Sequence, residues 1–149
     1  MSTRSFIGYV KDNKIIGVYC HWDGYVSNNG KILYQHYKDI KKIKKLIDLG
    51  YLSCLGTQLR KKKHTTDTVC VAMYRDHGDY KRIDTFSNLE DFLKHCKNCW
   101  IEYAYIFVDN KWYVITNFES VNNTIEVMEL DHVLKTKDYS QKFATTLLA

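Results

Sequence analysis

One turn occurs twice in this chain, in YVKDNKII (residues 9–16) and in FVDNKWYV (residues 107–114). Each copy places Asp-Asn-Lys between two runs rich in β-branched and aromatic residues, which are typical of strands. The runs are residues 6–10 with 15–21, and residues 103–108 with 112–116. Because Asp and Asn tolerate the left-handed backbone of tight hairpin turns, the two copies predict two hairpins and a four-stranded antiparallel core.

Further elements are predicted between and after the hairpins. Residues 69–74 and 81–85 have strand composition, and residues 124–128 indicate an edge strand. Helices are predicted at residues 30–37, entered through Asn28-Asn29, at 40–49, capped by Asp39 and closed by Gly50, at 87–96, and as a final turn at 130–134. On the second helix Ile40, Ile43 and Ile47 share one face.

These elements predict an α+β fold in a single domain over residues 1–149. We expect an antiparallel sheet of about five strands with two or three helices packed on one face. The length of 149 residues suits one domain, and the weak periodicity after Lys135 predicts that residues 136–149 are loosely ordered.

The composition excludes several classes of protein. No run of 18 apolar residues occurs, which excludes a membrane-spanning helix, and the first residues lack an apolar signal core, so we expect no secretion. Five cysteines at irregular spacing indicate free thiols. The C-x-x-C of Cys96 and Cys99 has no second ligand pair and lies near a helix end, so we predict neither a metal site nor redox chemistry, and no cofactor.

Positive charge is concentrated in one third of the chain. Residues 31–63 hold ten Lys/Arg and two Asp, whereas the rest holds twelve basic and fifteen acidic residues. A lysine-rich helix face can simply keep a helix solvated, but this asymmetry favours a polyanionic partner. The candidate phosphate contacts lie on the helix and the following loop: Lys38, Lys41, Lys42, Lys45, Arg60, Lys61, Lys62 and Lys63.

Aromatic side chains alternate along one predicted strand. Tyr103, Tyr105 and Phe107 would share one face of the sheet. Sheets that stack RNA bases use aromatic residues in this way. The alternative is that helices cover this face and make it the core.

A third candidate site is YCHWDGY at residues 19–25. Strand alternation places Cys20 and His21 on opposite faces, which separates the most obvious nucleophile–base pair. His21 and Asp23 can share a face, but Asp-Gly also indicates a turn. The segment is therefore open to three interpretations: a structural corner, a ligand or partner surface, or a catalytic site. No other feature supplies a complete acid, base and nucleophile set.

Several motifs occur together in the chain. They are Met1-Ser2-Thr3-Arg4-Ser5, the block at residues 19–25 with Ser27, GKIL at 30–33 with His36-Tyr37, LIDLG at 46–50, and Glu102, Tyr103, Tyr105, Phe107, Trp112 and Tyr113. Together they resemble a widespread group of small bacteriophage and prophage proteins, over residues 1–56 and more loosely over 88–116. The chain departs from that group at Val26, where proline is usual, and in its many lysines from 41 to 63.

The resemblance implies a phage accessory protein that acts on the host, and some members look like anti-CRISPR or other anti-defence proteins. The leading hypothesis is a non-enzymatic inhibitor that binds RNA or an RNA-containing nuclease complex in the host cytoplasm. Arg4, His21, Trp22 and Tyr25 are then stacking or partner contacts. The alternatives are a small nucleotide-processing hydrolase centred on His21 and Asp23, or a nucleotide-sequestering protein.

Overall fold

A computed structural model describes residues 2–60, 68–73, 81–118 and 125–137. Its strands are β1 (Ser5–Lys11), β2 (Lys14–Cys20), β3 (Leu52–Cys54), β4 (Val71–Ala72), β5 (Asp84–Phe86), β6 (Tyr103–Val108), β7 (Lys111–Thr116) and β8 (Glu126–Glu129). Its α-helices are α1 (Lys31–His36), α2 (Ile40–Ile47), α3 (Leu89–Asn98) and α4 (Leu130–Thr136), and a π-helical turn, Val26–Gly30, precedes α1.

Both predicted hairpins are confirmed. β1 pairs antiparallel with β2 and β6 with β7, each through a two-residue loop. The φ angles are 52° at Asp12, 58° at Asn13, 52° at Asp109 and 65° at Asn110. Two successive left-handed residues are the signature of the turn that matches strand twist, which is why Asp-Asn recurs there.

The sheet is mixed, so the prediction of an antiparallel sheet of about five strands is wrong. The strand order is β4-β3-β2-β1-β6-β7-β8, with β5 paired to β2, which makes eight strands in the part of the chain described. The two hairpins meet through a parallel pairing of β1 with β6, and β2 also pairs parallel with β3. The long helix-containing segment between the hairpins provides the crossover that parallel strands require.

Helices cover both faces of the sheet, which corrects the prediction of helices on one face. On the first face, α1, α2, α4 and the π turn pack on side chains such as Ile7, Val18 and Tyr105. On the second face, α3 packs through Phe92 and Cys96 on Phe6 and Ile106. The described elements therefore form a single α+β domain with the sheet as its middle layer.

The first face includes the alternating aromatic residues of β6. Tyr105 is fully buried and Phe107 nearly so, while Tyr103 is half-buried beside them. The Tyr105 and Tyr103 rings stack with centroids 6.4 Å apart. This aromatic face is core, not an open surface for bases.

The helix predictions hold in outline and fail in detail. The Asp39 side chain caps α2 by accepting from the Lys41 amide at 3.1 Å, as predicted. Ile43, Leu46 and Ile47 are the buried residues of α2, whereas Ile40, at the start of the helix, is 37% exposed. Neither Asn28 nor Asn29 caps α1, which starts without a side-chain cap.

The remaining strand predictions are confirmed only in part. β8 lies at the edge of the sheet, as expected for residues 124–128. Within the predicted strand at residues 69–74, the described residues 69–73 contain the short β4, and β3 was not predicted. No helix within the described ranges is both long and apolar enough to cross a membrane.

Candidate functional site

The YCHWDGY segment is a corner held by backbone hydrogen bonds to β3 and to the residues just before β1. The His21 amide donates to the Leu52 carbonyl and the Trp22 amide to the Ser53 carbonyl, both at 2.9 Å. The Gly24 amide donates to the Thr3 carbonyl at 2.8 Å, beyond the start of β1. Backbone hydrogen bonds alone therefore hold residues 21–24 in place.

Asn29 ties this corner to the core from within. Its side chain is fully buried and donates through Nδ2 to Ser5 Oγ at 3.1 Å and to Cys20 Sγ at 3.5 Å. It also accepts from Asn28 Nδ2 at 3.0 Å. The Asn29 amide thus joins β1, β2 and the π turn, so the role of the buried side of the corner is structural.

Cys20 and His21 lie on opposite faces of the sheet, as strand alternation predicts. Cys20 is buried among the residues of the first face, where burial raises the pKa of its thiol to about 12. His21 faces the second side, where its Nδ1 lies 2.7 Å from the Tyr19 hydroxyl. A neutral thiol on the far side of the strand cannot be activated by this imidazole.

His21 and Asp23, the catalytic alternative, share no hydrogen bond or ion pair among those of the described residues. Asp23 is exposed at a left-handed turn position, with φ 56°. Burial, together with the charge of Arg4, lowers the pKa of His21. The geometry places His21 with Tyr19 and Arg4 instead of with a carboxylate.

A continuous series of rings runs from the loop after β2 to the segment before β3, here named the aromatic ladder: Trp22, His21, Tyr19 and Tyr51. The ring centroids are 4.7 Å apart from Trp22 to His21, 6.0 Å from His21 to Tyr19, and 5.6 Å from Tyr19 to Tyr51. Arg82 ends the ladder, its guanidinium carbon 5.2 Å from the Tyr51 ring centroid. Such spacings are those of favourable aromatic and cation–π contacts.

The solvent-facing end of the ladder is Trp22, which is 45% exposed. Tyr25, the other predicted contact of the loop, is 41% exposed but makes no ring contact with the ladder among the described residues. Arg4 is half-buried near Tyr19, where it opposes the rise in pKa that burial imposes on that phenol. Three of the four predicted contacts, Arg4, His21 and Trp22, therefore lie together, and Tyr25 lies apart.

Asp84 anchors the inner end of the ladder. Its carboxylate accepts from the Tyr51 hydroxyl and lies 3.3 Å from Arg82 Nε and 3.4 Å from His95 Nε2. Burial lowers the pKa of His95 and its Asp84 partner opposes that shift. Sequence reasoning missed this cluster because its members come from separate elements and share no motif.

The Cys99–His95–Asp84 arrangement resembles a thiol triad, but its geometry does not support one. Cys99 Sγ lies 3.9 Å from His95 Nδ1 and 3.8 Å from Nε2, so the sulfur is aligned with neither nitrogen. Burial and then the charge of Asp84 raise the pKa of the Cys99 thiol. No group of three metal-binding side chains is present within the described residues.

The basic surface is divided between exposed and engaged side chains. Lys38, Lys41, Lys45 and Arg60 are exposed. Lys42, by contrast, donates to the His36 carbonyl at 2.7 Å, and its ammonium lies 4.5 Å from the Tyr37 ring centroid. The predicted contacts Lys61, Lys62 and Lys63 lie outside the described residues.

Comparison with protein-family models, with curated proteins and with solved structures gave no match.

Proposed function

We propose that this protein acts by binding and that its ligand is a polyanion, RNA or an RNA-containing complex. The observation that carries the proposal is the exposed cationic face formed by α1, α2 and the segment after them. Lys38, Lys41, Lys45 and Arg60 are exposed in this part of the chain, and the Lys38 ammonium lies 5.7 Å from the Tyr34 ring centroid.

The acidic residues of this segment do little to neutralise that face. Residues 31–60 contain seven Lys/Arg and two Asp. One of these, Asp39, is committed to capping α2. Because two lysines also occupy the last turn of α2, the helix dipole stabilises the positive charge there.

The biological part of the proposal rests on the sequence resemblance to phage and prophage accessory proteins. We propose a non-enzymatic inhibitor of a host defence system in the host cytoplasm, of the anti-CRISPR kind. A defence nuclease that carries a guide RNA would present phosphates to the cationic face. Co-expression with such a nuclease should restore survival of a targeted plasmid, and unchanged plasmid loss would contradict this part.

The direct test is binding of single-stranded RNA as a function of salt. For single strands, the logarithm of the association constant falls with the logarithm of salt concentration by about 0.7 per phosphate neutralised. Replacing Lys41 and Lys45 by alanine should therefore reduce that slope by about 1.4. Freshly purified wild-type protein should also carry nucleic-acid absorbance that ribonuclease or high salt removes.

A matched control is available on the other side of the sheet. Lys94 and Lys97 are exposed on α3, so their double replacement by alanine removes the same charge from a helix elsewhere. The control should keep the wild-type slope. Equal losses in both double variants would show that net charge alone drives binding, and no salt-dependent retention of RNA by the wild type would refute the proposal.

A further inference from the structure

We propose that the aromatic ladder is a binding site for an unpaired nucleobase, which stacks on Trp22 while Arg4 faces the attached phosphate. The inference deepens the proposed function and rests on it, because it specifies single-stranded nucleic acid as the ligand. The base can come from an RNA strand or from a free nucleotide, and both present the same ring and phosphate.

The outer end of the ladder is available to a ligand. Trp22 keeps 45% of its surface exposed although its amide is bonded to the neighbouring strand. An indole whose backbone is held just beyond the end of β2 offers a rigid stacking surface. Stacking tolerates any base sequence because every base has a π-face.

The rings behind Trp22 are preorganised by polar contacts. The Tyr19 hydroxyl meets His21 Nδ1 at 2.7 Å, and the Tyr51 hydroxyl donates to Asp84. Each contact fixes a ring that packing alone would leave free to rotate. The ladder therefore loses little conformational entropy when a base is added to its end.

One cation lies along the ladder and another lies at its inner end. Arg4 lies beside Tyr19 and His21, whereas Arg82, exposed over 63% of its side chain, lies over the Tyr51 ring. The Asp84 carboxylate is already engaged by Tyr51, Arg82 and His95. Asp23 is exposed one residue beyond Trp22, which disfavours a phosphate on the loop side and favours one on the side of Arg4.

The inner end of the ladder is close to the lysines of α2 along the chain. Tyr51 follows α2 after only a short connection, and Lys45 lies six residues before it. Six residues span at most about 22 Å even when fully extended. A single strand long enough to cover both sites would contact the lysines of α2 with its backbone and Trp22 with a base.

The test measures binding to a labelled single-stranded RNA decamer, to a fully paired duplex of the same length, and to AMP. Trp22→Ala should weaken single-strand binding by about 5- to 150-fold, the range of one base–aromatic stack, and Trp22→Phe should recover most of the loss. The wild type should prefer the single strand over the duplex.

Trp100→Gly is the matched control. Trp100 is 67% exposed, lies outside the ladder, and has φ 61°, where glycine is favoured. This variant should bind like the wild type. It also leaves Trp22 as the exposed indole, because Trp112 is buried with its indole bonded to the Tyr37 carbonyl. Quenching of the tryptophan fluorescence of this variant by RNA then reports contact at Trp22.

The outcomes separate the two proposals. If Trp22→Ala binds RNA like the wild type while the Lys41 and Lys45 double variant loses binding, the ladder inference is overturned and the proposed function stands. If AMP quenches Trp22 and no RNA binds, the base site is supported with a free nucleotide as its source, and the proposed function fails. If neither ligand quenches Trp22, or duplex and single strand bind alike, the base site is refuted.

Discussion

Replacing the buried amide of Asn29 tests whether the corner at residues 19–25 is architecture. Asn29→Ala removes three side-chain hydrogen bonds: two donated, to Ser5 Oγ at 3.1 Å and Cys20 Sγ at 3.5 Å, and one accepted, from Asn28 Nδ2 at 3.0 Å. It leaves the fully buried Ser5 hydroxyl without the donor that Asn29 provides. We expect a large loss of stability from a single polar side chain.

The magnitude follows from those contacts. The bonds to oxygen at Ser5 and from Asn28 contribute about 1 kcal/mol each, and the bond to sulfur contributes less. A buried group left unsatisfied adds a penalty of about 1–3 kcal/mol. Allowing for partial relaxation, we expect the free energy of unfolding to fall by about 2–4 kcal/mol.

Urea denaturation followed by far-ultraviolet circular dichroism measures this loss. With a slope of about 2 kcal/mol per molar urea, the midpoint should fall by about 1–2 M. Ser27→Ala, in the same turn but exposed, should leave the midpoint unchanged. A shift below about 0.3 M in Asn29→Ala would show that the amide does not hold the corner, and the reasoning would fail.

Three further predictions concern the sheet, the second face and the thiols. Gly17→Ala should destabilise the protein by about 1–3 kcal/mol, because the added Cβ would lie 2.4 Å from the Ile7 carbonyl oxygen. A thermal midpoint equal to that of the wild type would contradict this. The pKa of His95 is lowered in the folded state by burial. The unfolded chain therefore binds more protons than the folded protein below about pH 6.5. The stability present above that pH should be lost as the pH falls. The pH profile of urea midpoints should therefore be flatter in His95→Gln, and an equally steep profile would assign the effect elsewhere. Cys20, buried with its thiol pKa raised to about 12, should react with iodoacetamide at pH 8 only after unfolding, whereas the half-exposed Cys54 should react in the native protein; peptide mass spectrometry distinguishes the two.

The candidate site shows how far sequence reasoning reached. Strand alternation correctly separated Cys20 from His21, because alternation follows from backbone geometry within one strand. Alternation could not find Arg4 beside His21 or Tyr51 beside Tyr19, since Arg4 and Tyr51 come from other parts of the chain. Lys42 shows the same limit on the basic surface. Lys42 is next to Lys41 in the sequence of α2, yet in the folded protein its ammonium donates to the His36 carbonyl and lies over the Tyr37 ring. The sequence alone did not predict these contacts.

The sequence by itself determined the features that depend on neighbouring residues. The Asp-Asn turns set both hairpins, and Asp39 set the start of α2, because left-handed turns and caps are satisfied within a few residues. Only the tertiary structure decided that the hairpins join through parallel β1 and β6 and that α3 covers the opposite face from the other helices. An apolar strand buried on both sides fits a parallel or an antiparallel neighbour equally well, so its pairing depends on the path of the distant chain. The aromatic ladder exists for the same reason: its rings meet only after β2 and the segment before β3 are placed side by side.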